Sequence, residues 1–195
     1  MSNLAYTDDY KERFELIDGK IIMMLPRPRI DHSRALGNIF SEFRTYLKGK
    51  KCEAFADSVD VYLDEKNHFI PDVMIICNKN IITDLNIQGA PDLVVEVLSP
   101  STAKNDKGIK KDIYEKFGVK EYWIVNTIDK SVEVYLNNNG RFYLDNVYVY
   151  FTDEEIAEND ALANDDKNKL TIYTDIKVSV CDNLVIKVKD IFENI

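Results

Sequence analysis

The chain has 195 residues, 45% of them hydrophobic and 30% charged, which is enough for a sizeable core and ordinary for a globular protein. Its 25 basic and 34 acidic residues give a formal net charge of −9, which argues against a nucleic-acid binder working by bulk charge, though one basic face remains compatible with it. No apolar stretch approaches the roughly 18 residues of a membrane span. The polar opening MSNLAYTDDYKERFELIDG lacks the apolar centre of a secretory signal, so a cytoplasmic protein is expected.

In chain order, FELIDGKIIMML reads as a β-hairpin turning on Asp18-Gly19. PRPR (26–29) breaks the pattern, and a helix capped by Asp31 or Ser33 runs to about Leu47, with Leu36, Ile39, Phe40, Phe43 and Leu47 on one face. CEAFADSVDVYLD and HFIPDVMIIC read as two strands around the turn DEKN, the second near the sheet centre and His68 a surface turn residue. The loop NKNIITDLNIQG leads to the apolar strand APDLVVEVL. A helix is predicted from about Asp106 to Phe117, closed by Gly118. EYWIVN is a further buried strand, and SVEVYLNNNGRFYL a hairpin turning on Asn-Asn-Gly. The alternation in YLDNVYVYF fits sheet packing.

After that come the acidic stretch 152–166, the strand-like KLTIYTDIKVSV and a short helix in VKDIFENI. Cys52, Cys77 and Cys181 are odd in number, far apart and without a CxxC pair, so reduced, mostly buried thiols are expected. Strand, helix and apolar strand in succession predict a parallel crossover, hence an α/β fold with a mixed sheet. With no repeat or linker, one domain over 1–195 is expected.

Three features carry chemistry. Pro71-Asp72 opens one central strand, and Glu96 lies inside the next. Asp106, Lys110 and Tyr114 are spaced four apart, on one helix face. An ionised carboxylate in an apolar strand is costly without a partner. A divalent cation held by Asp72 and Glu96 would offset that cost, and Mg²⁺ (or Mn²⁺) suits their oxygen ligands. With Lys110 to stabilise charge on a phosphate or orient water, the set suits phosphodiester hydrolysis.

The stretches FELIDGKI, PRPRIDHSR, PDVMIIC, GAPDLVVEVLSPST, DKGIKKDIYEKFGVKEYWIVN and VEVYL occur in an order that resembles the PD-(D/E)xK nuclease superfamily, and more closely its Uma-type family of restriction endonuclease-like proteins. The resemblance implies a restriction endonuclease-like fold: a mixed central sheet flanked by helices, with a nuclease core at about 13–136, added N-terminal and C-terminal β-hairpins, and a C-terminal β extension at about 137–195. It also implies a Mg²⁺-dependent endodeoxyribonuclease, a hydrolase of DNA, with Asp72 and Glu96 as catalytic and metal residues.

The superfamily's lysine would fall at position 98, which is Leu98 here. The resemblance moves it to the following helix, where Lys110 fits and Lys107 and Lys111 are the other choices. His32 and Glu15 stand at family positions, each with a local structural role as the alternative. Asp92 is read as a further metal-side ligand or a strand-end turn residue, and Tyr114 as a supporting residue. DNA is the expected partner and a homodimer the expected assembly. A nuclease-like binding module without catalysis is the competing reading, and a hydrolase of another phosphoester a third.

Overall fold

The computed structural model describes residues 13–23 and 29–195. Pro26, Arg27 and Pro28 of the PRPR motif and the first twelve residues lie outside the described residues.

The N-terminal hairpin forms as expected from β1 (Phe14–Ile17) and β2 (Lys20–Met23). Asp18 and Gly19 both adopt positive φ, 50° and 76°, as a two-residue hairpin turn requires. Helix α1 (Ile30–Leu47) buries Ala35, Ile39, Phe43 and Leu47. Its N-cap is Arg29, with no side-chain capping bond, rather than Asp31 or Ser33.

The two strands predicted next are in fact four. The first segment divides into β3 (Glu53–Ala56) and β4 (Val61–Tyr62), the second into β5 (His68–Phe69) and β6 (Val73–Ile76). Each pair is split between two sheets. Ser58, at φ 67°, redirects the chain in the first segment, and Ile70-Pro71 separates the strands of the second. His68 is buried within β5, its Nε2 2.8 Å from Asp60 Oδ1, and is not a surface turn residue. The expected loop contains a 3₁₀ turn (Lys79–Ile81) and β7 (Ile87–Gln88).

Strand β8 (Leu93–Val97) is wholly buried. The helix after it is broken at Gly108 into α2 (Ala103–Lys107) and α3 (Ile109–Lys116). A Cβ on Gly108 would stand 2.9 Å from the Lys104 carbonyl oxygen. Strand β9 (Glu121–Asn126) then pairs parallel with β8, the predicted crossover.

Strands β10 (Ser131–Asn138) and β11 (Arg141–Val149) complete a six-stranded mixed sheet in the order β11-β10-β9-β8-β6-β3. A five-stranded sheet, β2-β1-β5-β4-β7, stands apart from it. The acidic stretch forms α4 (Asp153–Ala161), opened by a capping box between Thr152 and Glu155. A small pair, β12 (Asp175–Lys177) with β13 (Val185–Lys187), and α5 (Val188–Ile191) follow. No helix among the described residues is long and apolar enough to cross a membrane.

Alternation along β6 and β8 separates two cores. Val73, Ile75, Leu93, Val95 and Val97 pack with α1 and the C-terminal segment. On the opposite face, Val94 packs with Tyr114 of α3 and with Ile17 and Phe69 of the small sheet, while Met74 and Ile76 join Val61 and Ile87. The cysteine expectation is corrected: Cys52 and Cys77 form a disulfide, and only Cys181 is free and buried. Their wide sequence separation hid the register, in which Glu53 faces Ile76 and so brings Cys52 opposite Cys77.

Glu121, fully buried at the start of β9, fastens the C-terminal segment to the sheet. It accepts hydrogen bonds from Trp123 Nε1 at 2.7 Å, Ser179 N at 2.7 Å and Ser179 Oγ at 2.6 Å. Burial pushes its carboxyl above the ordinary 4.5, against the pull of these donors. An acid raised on folding contributes stability that is lost as pH rises through its folded value. In thermal unfolding, wild type should therefore lose stability relative to Glu121→Gln as pH rises above 4.5; parallel curves would contradict this. Glu121→Ala, which strands the Ser179 and Trp123 donors, should cost about 3 kcal/mol in acid, a gap that narrows as pH rises and wild type alone loses stability.

Candidate active site

The antiparallel register of β6 and β8 sets Val73 against Val95 and Met74 against Val94. Continued by one residue, it sets Asp72 against Glu96, so two sequence-distant acids become cross-strand neighbours. The backbone ladder ends here because the chain turns at Pro71. The Asp72 carboxylate takes over from it: Oδ2 accepts the Val97 amide at 2.7 Å.

The other end of the same strand pair repeats the device. Pro91-Asp92 opens β8, and Asp92 Oδ2 accepts the Cys77 amide at 2.7 Å. Two Pro-Asp dipeptides thus cap one antiparallel pair from opposite ends. The expectation that Asp92 supports a metal is corrected accordingly. Four residues of strand, about 13 Å, separate it from Glu96, and its other oxygen meets Lys120 Nζ at 2.6 Å.

Glu96 points to the face covered by α3 and the small sheet and is 4% exposed. Its Oε1 lies 2.9 Å from Lys110 Nζ and accepts the Tyr114 hydroxyl at 3.2 Å. Lys110, 3% exposed, also donates to Glu15 Oε1 at 3.0 Å and lies 3.3 Å from Asp106 Oδ1. The Asp106 contact is one of charge alone, since Oδ1 is buried without a hydrogen bond. The predicted stripe therefore survives the break at Gly108, with Asp106 on α2 and Lys110 and Tyr114 on α3. Lys107 and Lys111 turn elsewhere, Lys107 to Glu133 Oε1 at 2.5 Å and Lys111 over the Tyr135 ring.

Three carboxylates meet one ammonium in a nearly solvent-free pocket. Burial disfavours charge on Lys110, but Glu96, Glu15 and Asp106 outweigh it and hold the ammonium well above its ordinary range. Burial pushes Glu96 well up, against the pull of Lys110 and with repulsion from Asp106, Asp72 and Glu15 adding to it. Asp106 is raised for the same leading reason. The cluster has an excess of acid that favours a proton or a cation.

His32, in the first turn of α1, places Nε2 3.3 Å from Asp72 Oδ2. Burial lowers its affinity for a proton, but Asp72 more than compensates and raises it. Its Nδ1 is buried without a partner. Asp72 Oδ1 and Glu96 Oε2 stay outside all these contacts. Among the described residues no three acidic, histidine or cysteine side chains form a ready metal cage. The free oxygens nevertheless fit Mg²⁺ or Mn²⁺, which take one or two carboxylates and fill the rest of the sphere with water and substrate oxygens.

Glu15, a partner of Lys110, lies outside the four-residue helical spacing that joins Asp106, Lys110 and Tyr114. Its signal was the one that exposed Glu96, a carboxylate within an apolar strand.

Comparison with known proteins gives the family and the fold. The Uma2 family, described as "Putative restriction endonuclease", matches residues 3–176. Two uncharacterized proteins of Synechocystis sp. are similar in sequence. Slr1290 is 28% identical over 72% of this chain and 75% of its own length, and sll1609 is 30% identical over 68% and 77%. A crystal structure from Anabaena variabilis, described as a putative nuclease belonging to DUF820, superposes with a TM-score of 0.64 at 23% identity. It covers 92% of this chain and 89% of that one, and the likeness is one of fold.

Proposed function

Because the chain belongs to the Uma2 family, described as putative restriction endonucleases, we propose that it is a metal-dependent endonuclease that hydrolyses DNA phosphodiester bonds. The observation that carries this reading is the pairing of Asp72 with Glu96 across β6 and β8, with the Lys110 ammonium 2.9 Å from Glu96. This is a PD-(D/E)xK-type site whose lysine has moved from the strand to the following helix.

Asp72 and Glu96 would hold Mg²⁺ or Mn²⁺. When bound, the ion supplies Lewis-acid polarisation of a phosphate oxygen and activation of water. The chain's own groups do the rest. The Val97 amide and His32 fix the Asp72 carboxylate. The Tyr114 hydroxyl fixes Glu96. Lys110 offers a preorganised positive charge in a dry setting, where it acts more strongly on a developing phosphate charge than it would in water. Lys104 and Lys116, exposed on α2 and α3, can meet the DNA backbone despite the net acidity of the chain.

The test is cleavage of plasmid and single-stranded DNA in Mg²⁺, Mn²⁺ or chelator. Wild type is expected to cut only with metal. Asp72→Asn should lose at least about 100-fold in rate while remaining folded by circular dichroism. DNA binding without any cleavage, unaffected by metal and by Asp72→Asn, would instead support a non-catalytic binding module.

A further inference from the structure

We propose that Glu15 is a positioning residue for Lys110, which makes the N-terminal hairpin a working part of the site; this rests on the nuclease reading above. Glu15 lies on β1, in the five-stranded sheet, whereas Glu96 lies in the six-stranded sheet. Its side chain nevertheless turns into the space between them and is 7% exposed.

One oxygen does two things. Glu15 Oε1 accepts from Lys110 Nζ at 3.0 Å and from the Ile70 amide at 3.1 Å. Ile70 immediately precedes Pro71-Asp72. A single carboxylate therefore ties the hairpin to the helix that bears the lysine and to the backbone that delivers the first acid.

Lysine is a point charge on a flexible stem, so its aim depends on its partners. Of the carboxylates around Lys110, Asp106 Oδ1 makes no hydrogen bond, and Glu96 meets the ammonium at 2.9 Å as an ion pair without a directed hydrogen bond. Glu15 is the remaining carboxylate, and the one that receives a directed hydrogen bond from the ammonium.

Glu15→Gln separates positioning from packing. The glutamine keeps the volume and an oxygen for the Ile70 amide but loses the charge that holds the ammonium. The expected result is a fall in kcat of about tenfold or more, with unchanged DNA affinity in Ca²⁺ and unchanged thermal unfolding. Combined with Lys110→Met, it should slow cleavage no further than Lys110→Met alone, because both act through one group. A wild-type kcat in Glu15→Gln, or losses that multiply in the double variant, would overturn the proposal.

A readout independent of cleavage is the lysine ammonium signal in ¹H–¹⁵N spectra, assigned to Lys110 by its absence in Lys110→Met. Buried and hydrogen-bonded, it should be visible in wild type and broadened or shifted in Glu15→Gln. An unchanged signal would refute the Glu15 role. A wild type that never cuts DNA would refute the nuclease reading and leave the ammonium signal to decide Glu15.

Discussion

Glu96→Gln is expected to reduce DNA cleavage by about 100- to 1,000-fold, the range for losing one preorganised electrostatic group, without unfolding the protein. Glutamine has the same shape, and its oxygen can still accept from Tyr114 and face Lys110, so the packing around β8 is preserved. What is lost is the negative charge on which cation binding depends. Stability should move the other way. Burial raises the Glu96 carboxyl, so its ionisation opposes folding. That opposition grows as pH rises through the raised folded value, and glutamine removes it. Single-turnover cleavage and thermal unfolding, run side by side, should show a dead enzyme at least as stable as wild type. A Glu96→Gln protein that cuts at the wild-type rate in Mg²⁺ would remove Glu96 from the mechanism.

Lys110→Met should be costly in both respects. The methionine roughly preserves the volume of the stem but leaves Glu15, Glu96 and Asp106 without their shared cation. Removing one side of a buried charge arrangement costs about 3–5 kcal/mol, or about 10 °C in Tm for a chain of this length. The cost should depend on pH. Without the ammonium, Glu96 and Asp106, already raised by burial, lose the charge that pulls them down, and stability from such raised acids is present at low pH and lost as pH rises. The gap between wild type and Lys110→Met should therefore be wide near neutral pH, where the ammonium is charged in both states, and close as the solution is acidified. A gap that stays constant across pH would mean that the carboxylates do not depend on Lys110. Cleavage should fall by about 100-fold even where the variant is folded, leaving a residual rate that can be measured.

The parts of this molecule legible in the sequence were those set by local periodicity. The strand of β8, the parallel step to β9 and the amphipathic α1 follow from the spacing of apolar residues. Glu96 was legible because a carboxylate in an apolar run needs a partner, and Lys110 because residues four apart share a helix face. Glu15 carried the same signal in FELI, but its partner is 95 residues away and in another layer, so no local rule joins them.

Other features depend on where the chain changes layers. The segment around Ser58 alternates and the one around Pro71 is a near-continuous apolar run, both as unbroken strands are, yet tertiary packing divides each between two sheets. That division buries His68 beside Asp60. It also sets the β3–β6 register that joins Cys52 to Cys77. Asp92 misled for a related reason. Alternation places it on the face of Glu96, but the strand separates them along its length, and Asp92 caps the far end of the pair.

Metal-dependent cleavage at this site requires that the free oxygens of Asp72 and Glu96 bind the same divalent cation. Anomalous diffraction from crystals soaked in Mn²⁺ measures this directly. The expected result is a peak bonded to one oxygen of each carboxylate, absent from crystals of Asp72→Asn. A saturating soak that leaves this position empty, or places manganese only elsewhere on the surface, would contradict it.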